Sequence, residues 1–124
     1  MTLAKFYLWG VGSLTIVFGL GYLLGPAALT DPAGFGALGP SATTDVRATY
    51  GGFQLGMGAF LVWAAQAEAR FRMALVLIAL SIGAVFGSRV IGLALDGEPS
   101  DFHRMGLVFE AGLTTATILI LRRL

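Results

Sequence analysis

Three polar side chains stand inside apolar stretches of this sequence: Gln54, Arg89 and Glu110. Charged groups in hydrocarbon cost at least ~2.5 to 3.5 kcal/mol on insertion scales, so each needs a partner or a role. Glu110 offers Arg89 the opposite charge, and Gln54 offers an amide to take up remaining hydrogen bonds. Such a set has two chemical uses. It can be an ion pair that fixes how two helices meet, or a polar, proton-accessible pocket for a small molecule.

Helical spacing widens the set. Arg47, Tyr50, Gln54 and Gly58 recur at intervals of three and four, as do His103, Gly106, Glu110, Thr114 and Thr117, so each series forms one helix stripe that should face inward. At 1.5 Å per residue, Gln54, Arg89 and Glu110 lie roughly 8 to 10 Å from the same ends of their helices. The candidate polar site is therefore Arg47, Tyr50, Gln54, Arg89, His103 and Glu110, with an Arg89 to Glu110 ion pair at its centre.

Other chemistries find little support. His103 is the only histidine and there are no cysteines, so thiol catalysis, disulfides and an ordinary zinc ligand set are all missing. A serine triad would need Ser100 beside Asp101, and adjacent residues do not adopt that geometry unaided. His103 reads instead as a residue at the membrane interface. Gly34, Gly36 and Gly39 match G-x-G-x-x-G literally, but Pro40 follows and no strand precedes, so the glycines mark a turn rather than a dinucleotide site. We expect no catalytic residue, cofactor-binding residue or metal site, and no cofactor; a bound lipid or lipophilic pigment is compatible with the pocket reading.

The elements that hold these residues are long and apolar. Of 124 residues, 56% are hydrophobic and 12% charged, with a mean hydropathy of +0.82, far above a soluble domain. Four runs approach the ~20 residues a membrane helix requires, at 5–25, 47–65, 73–95 and 104–121. A single 1–124 domain follows: an all-α, integral membrane, up-down-up-down four-helix bundle. A net charge of +1 without a basic run excludes a nucleic-acid surface. The first run exceeds a signal-peptide core and reads as an uncleaved helix.

Lys5, Arg70, Arg72, Arg122 and Arg123 fall at one set of helix ends, and Asp31, Asp45, Asp96, Glu98 and Asp101 at the other. The positive-inside rule then puts both termini in the cytoplasm. Trp9 and Trp63 belong to the aromatic belt on that side. The segment from Pro26 to Thr44, with three prolines, is expected to be irregular, and Thr44 to cap helix two. Most of the eighteen glycines lie in the spans. Gly21 with Gly25, Gly52 with Gly56, and Gly83 with Gly87 form small-residue faces for close helix packing. A faint repeat joins the halves: Phe53 and Gln54 follow Asp45 at the spacing at which Phe109 and Glu110 follow Asp101.

The segment Asp45-Val-Arg47-Ala-Thr-Tyr50-Gly51-Gly52-Phe-Gln54 resembles the signature of a bacterial membrane family known as domain of unknown function 4345. The resemblance implies a four-helix plan over nearly the whole chain, and no activity. Function is thus expected to be that of a small non-enzymatic membrane protein in the bacterial inner membrane. Its partners would be the lipid bilayer and either other membrane-protein subunits, for which it is an accessory or structural subunit, or further copies of itself. The alternative is a carrier for a lipophilic or protonatable small molecule, with a membrane-acting enzyme third.

Overall fold

A computed structural model describes residues 2–124. Among them every regular element is helical, and the chain divides into two compact units, residues 2–68 and 69–124.

The first unit opens with α1, Thr2–Leu24. Two short elements follow, α2 at Pro26–Thr30 and a 3-10 turn at Asp31–Ala33. The chain then runs helically without a break from Pro40 to Ala64: α3 is Pro40–Val46, a π-helical stretch covers Arg47–Gly52, and α4 is Phe53–Ala64. The segment expected to be irregular is therefore largely helical. Pro26 and Pro40 are the reason, because each takes the first helical position, where its fixed φ suits the helix and no N–H is missed. Helix two accordingly starts at Pro40, preceded by Gly39, and not at Thr44. The Thr44 hydroxyl donates back to the Pro40 carbonyl at 3.1 Å within that helix. Gly34 and Gly36 do form a turn, both with positive φ (82° and 69°).

α1 packs antiparallel against the π stretch and α4. Glycine lets them close up. A Cβ on Gly12 would stand 3.1 Å from the Gly58 carbonyl oxygen and one on Gly58 2.7 Å from that of Gly12. Gly19 and Gly51 repeat the arrangement at 3.0 and 3.2 Å. Backbone contact of this kind supplies dispersion attraction that side chains would hold apart. Gly51, Leu55 and Gly58 meet α1, so of the stripe expected through Tyr50, Gln54 and Gly58 the two ends face α1, and Leu55 rather than Gln54 stands between them. One extra residue in a helical turn shifts every later side chain around the axis.

The glycine pairs expected from sequence sit elsewhere. A Cβ on Gly21 would meet the Leu29 side chain at 2.8 Å, one on Gly83 the Thr114 methyl at 3.6 Å, and those on Gly56 and Gly87 nothing within 4 Å. Gly25 and Gly52 would each reach only a carbonyl of their own segment, at 4.0 Å.

In the second unit, α5 spans Phe71–Asp96 and α6 spans Asp101–Leu121, antiparallel to each other. Gly97 ends α5 in the left-handed conformation that suits glycine after a helix (φ +70°). Ser100 opens α6, its hydroxyl accepting from the His103 N–H at 3.4 Å.

Three helices are long and apolar enough to cross a membrane: α1, the stretch Glu68–Asp96 that contains α5, and α6. Their outer surfaces carry large apolar side chains in the open, among them Phe6, Leu80 and Val108 at 68, 69 and 76% exposure.

Candidate functional site

α6 places His103, Gly106, Glu110 and Thr114 along one face, because side chains three and four residues apart on a helix are neighbours. α5 brings Arg89 against that face. The Arg89 Nε donates to both Glu110 carboxylate oxygens, at 3.1 and 3.0 Å, and Nη2 donates to Oε1 at 2.6 Å. Charge-assisted, forked bonds of this length are the strong class of protein hydrogen bond. Glu110 is 6% exposed, so its charge is held away from solvent and balanced where it lies.

The third arginine nitrogen, Nη1, lies 2.9 Å from His103 Nδ1. A guanidinium only donates, so Nδ1 accepts and the imidazole proton sits on Nε2. Phe102 adds its ring, whose centroid is 5.9 Å from Arg89 Cζ, and also meets the His103 ring edge-on at 5.4 Å. Gly106 is the floor: a Cβ there would lie 3.0 Å from both Cζ and Nε of Arg89.

Sequence reasoning placed His103 at the interface and left it out of the pair. The signal was present in the stripe through positions 103, 106 and 110, which puts all three on the face that Arg89 meets. Gln54 was expected to complete the hydrogen bonding. It lies half-buried in the first unit, and its side-chain amide makes no hydrogen bond among the described residues. His103 takes the place expected for it.

One turn further along the face, the Thr114 hydroxyl is buried without a hydrogen-bond partner among the described residues. The other buried or half-buried serine and threonine hydroxyls in helices, Thr15, Thr30, Thr43, Ser81 and Thr117, donate to the carbonyl four residues back at 2.7 to 3.1 Å.

Arg47 and Tyr50 belong to a different place. Arg47 Nε donates to the Leu23 carbonyl at 3.0 Å, crossing from the π stretch to the last turn of α1. That carbonyl is one of the terminal acceptors a helix leaves unused. Tyr50 stacks on Tyr22, with ring centroids 5.3 Å apart, and takes Phe35 edge-on at 6.3 Å, which fastens the turn after α2 to helix two.

In the Arg89 cluster both oxygens of Glu110 accept from the guanidinium, and the imidazole accepts through Nδ1. Among the described residues no three histidine, aspartate or glutamate side chains gather as metal ligands. Neither the curated proteins nor the solved structures contain a match to the chain. The π stretch that carries Arg47, Tyr50 and Gly51 coincides with the sequence element on which the family resemblance rests, and a family model covers residues 3–121, so the chain belongs to the family described as Domain of unknown function (DUF4345).

Proposed function

We propose that this chain is a non-enzymatic integral membrane protein whose four helical spans, the fourth being the continuous Pro40 to Ala64 helix, serve as a packing module in the bacterial inner membrane. The observation that carries this reading is the mutually bonded Arg89, Glu110 and His103 cluster inside a helix pair with an apolar exterior. A pair of opposite charges joined across two helices fixes how those helices meet. The open apolar faces then serve lipid, further copies of the chain, or a larger membrane complex to which it is an accessory subunit.

The orientation proposed is both termini in the cytoplasm, from the basic residues at one set of helix ends. Single cysteines at Gly36 and Gly97 should label from outside intact spheroplasts and one at Ala69 should not. Labelling at Ala69 from outside overturns the orientation, and extraction of the chain by alkaline carbonate overturns the membrane reading. Purification from native membranes in mild detergent tests the role: a stoichiometric larger partner supports the subunit, a ladder of cross-linked copies supports self-association, and a lone chain with neither overturns both.

The second reading, a carrier for a small amphipathic molecule, is favoured by the cavity beside Arg47 in the first unit rather than by the Arg89 cluster.

A further inference from the structure

Directly past the last turn of α1 the first unit holds an open cavity of about 620 Å³. Leu24, Pro26, Ala28 and Leu38 make its walls apolar, and two charged residues line it, Arg47 and Asp31. Thr30 and Thr43 also line it, but each hydroxyl donates to a carbonyl of its own segment, Pro26 at 3.1 Å and Gly39 at 3.0 Å. Their protons are therefore committed.

Arg47 is anchored by one nitrogen only. Nε is held on the Leu23 carbonyl, which fixes the plane of the guanidinium, while among the described residues no carboxylate lies within 4.0 Å of it and its Nη groups make no hydrogen bond. An anchored guanidinium with free Nη groups is the fork that suits a phosphate or carboxylate. Asp31 would repel a purely anionic ligand from the same cavity. A ligand with a cationic group beside its anionic one satisfies both walls.

Position sets the rest of the ligand. α1 is long and apolar enough to cross a membrane and the cavity begins where it ends, at the level of a lipid head group. Tyr22, Tyr50 and Phe35 cluster at the same end of the unit, as aromatic side chains do at a membrane interface.

We infer that this cavity holds the head of a zwitterionic phospholipid, its phosphate on Arg47 and its ammonium on Asp31, with the acyl chains passing along the apolar wall into the bilayer. The inference rests on the membrane reading above, which the carbonate extraction tests separately.

The test is calorimetric titration of the detergent-purified full chain with short-chain phosphatidylethanolamine, short-chain phosphatidylglycerol and phosphoethanolamine alone. Saturable binding of phosphatidylethanolamine is expected, weakened about tenfold or more by Arg47→Gln and by Asp31→Asn, since each removes a charge-assisted contact. Phosphatidylglycerol should bind less well, and Asp31→Asn should abolish its disadvantage. Asp31 is exposed, so its substitution carries the test even if Arg47→Gln unfolds the unit. The inference is overturned by absence of saturable phosphatidylethanolamine binding, by preference for phosphatidylglycerol, or by indifference to Asp31→Asn. Equal affinity for phosphoethanolamine alone overturns the lipid and leaves a soluble phosphoester as the ligand.

Discussion

Gly106 and Arg89 are fitted to each other: a Cβ added at position 106 would stand 3.0 Å from Arg89 Cζ, tighter than ordinary van der Waals contact, so the guanidinium would have to give way. Gly106→Ala should therefore push the guanidinium off Glu110 or off His103 and lower stability by about 1 to 3 kcal/mol, the usual cost of overpacking. Gly112→Ala, on the same helix with nothing within 4 Å of the added methyl, is the control and should be neutral. Thermal melting in detergent reads both, and equal effects would mean that Arg89 does not rest on this glycine.

Breaking the ion pair from either side should be costly. Arg89→Leu or Glu110→Leu leaves the other charge uncompensated, at roughly 3 to 5 kcal/mol, whereas the double replacement can be nearly neutral. Expression level and melting temperature should fall in each single variant and largely recover in the double one. Additive losses would show that the two residues act independently.

His103 should be a fixed tautomer. With Nδ1 accepting from Arg89, nitrogen NMR of the labelled protein should find the proton on Nε2, and Arg89→Leu should release that preference. A proton on Nδ1 in the unaltered chain would contradict the bond.

Close packing in the first unit should depend on Gly12, Gly19, Gly51 and Gly58. Gly12→Leu or Gly58→Leu should separate α1 from α4 and cost several-fold more in melting temperature than Gly56→Leu, whose added Cβ meets nothing within 4 Å. Equal tolerance at positions 58 and 56 would mean the helices do not touch there.

The membrane-length helices and the Arg89 to Glu110 contact were legible in the sequence because both follow from energies that admit few solutions. A charge in an apolar helix requires a counter-charge at its own depth, and Glu110 was the one available. Glycine packing was harder to read. Pairs four apart on one helix show where a backbone is bare, but the close approaches join residues on different helices, Gly12 with Gly58 and Gly19 with Gly51, and depend on how the partner is aligned. The π stretch at Arg47–Gly52 hid part of that alignment, since a wider turn shifts the side chains that follow it and Leu55 takes the facing expected for Gln54. Pro26 and Pro40 misled in the opposite direction: read as breakers, they are openers, and the local residue type does not distinguish the two.

Gly12 and Gly19 of α1 are seven apart, as are their partners Gly58 and Gly51 on helix two, so a shifted seating exists that keeps part of the close packing. Sliding one past the other by seven residues would place Gly12 against Gly51, or Gly19 against Gly58, and keep one of the two close approaches. Such a slide would break the bond from Arg47 to Leu23, and would offer that side chain either a mid-helix carbonyl of α1, already used by the helix itself, or a position beyond its end. Arg47 thus adds a polar register mark to a glycine seam whose spacing repeats, since its bond to Leu23 can form in the observed alignment alone.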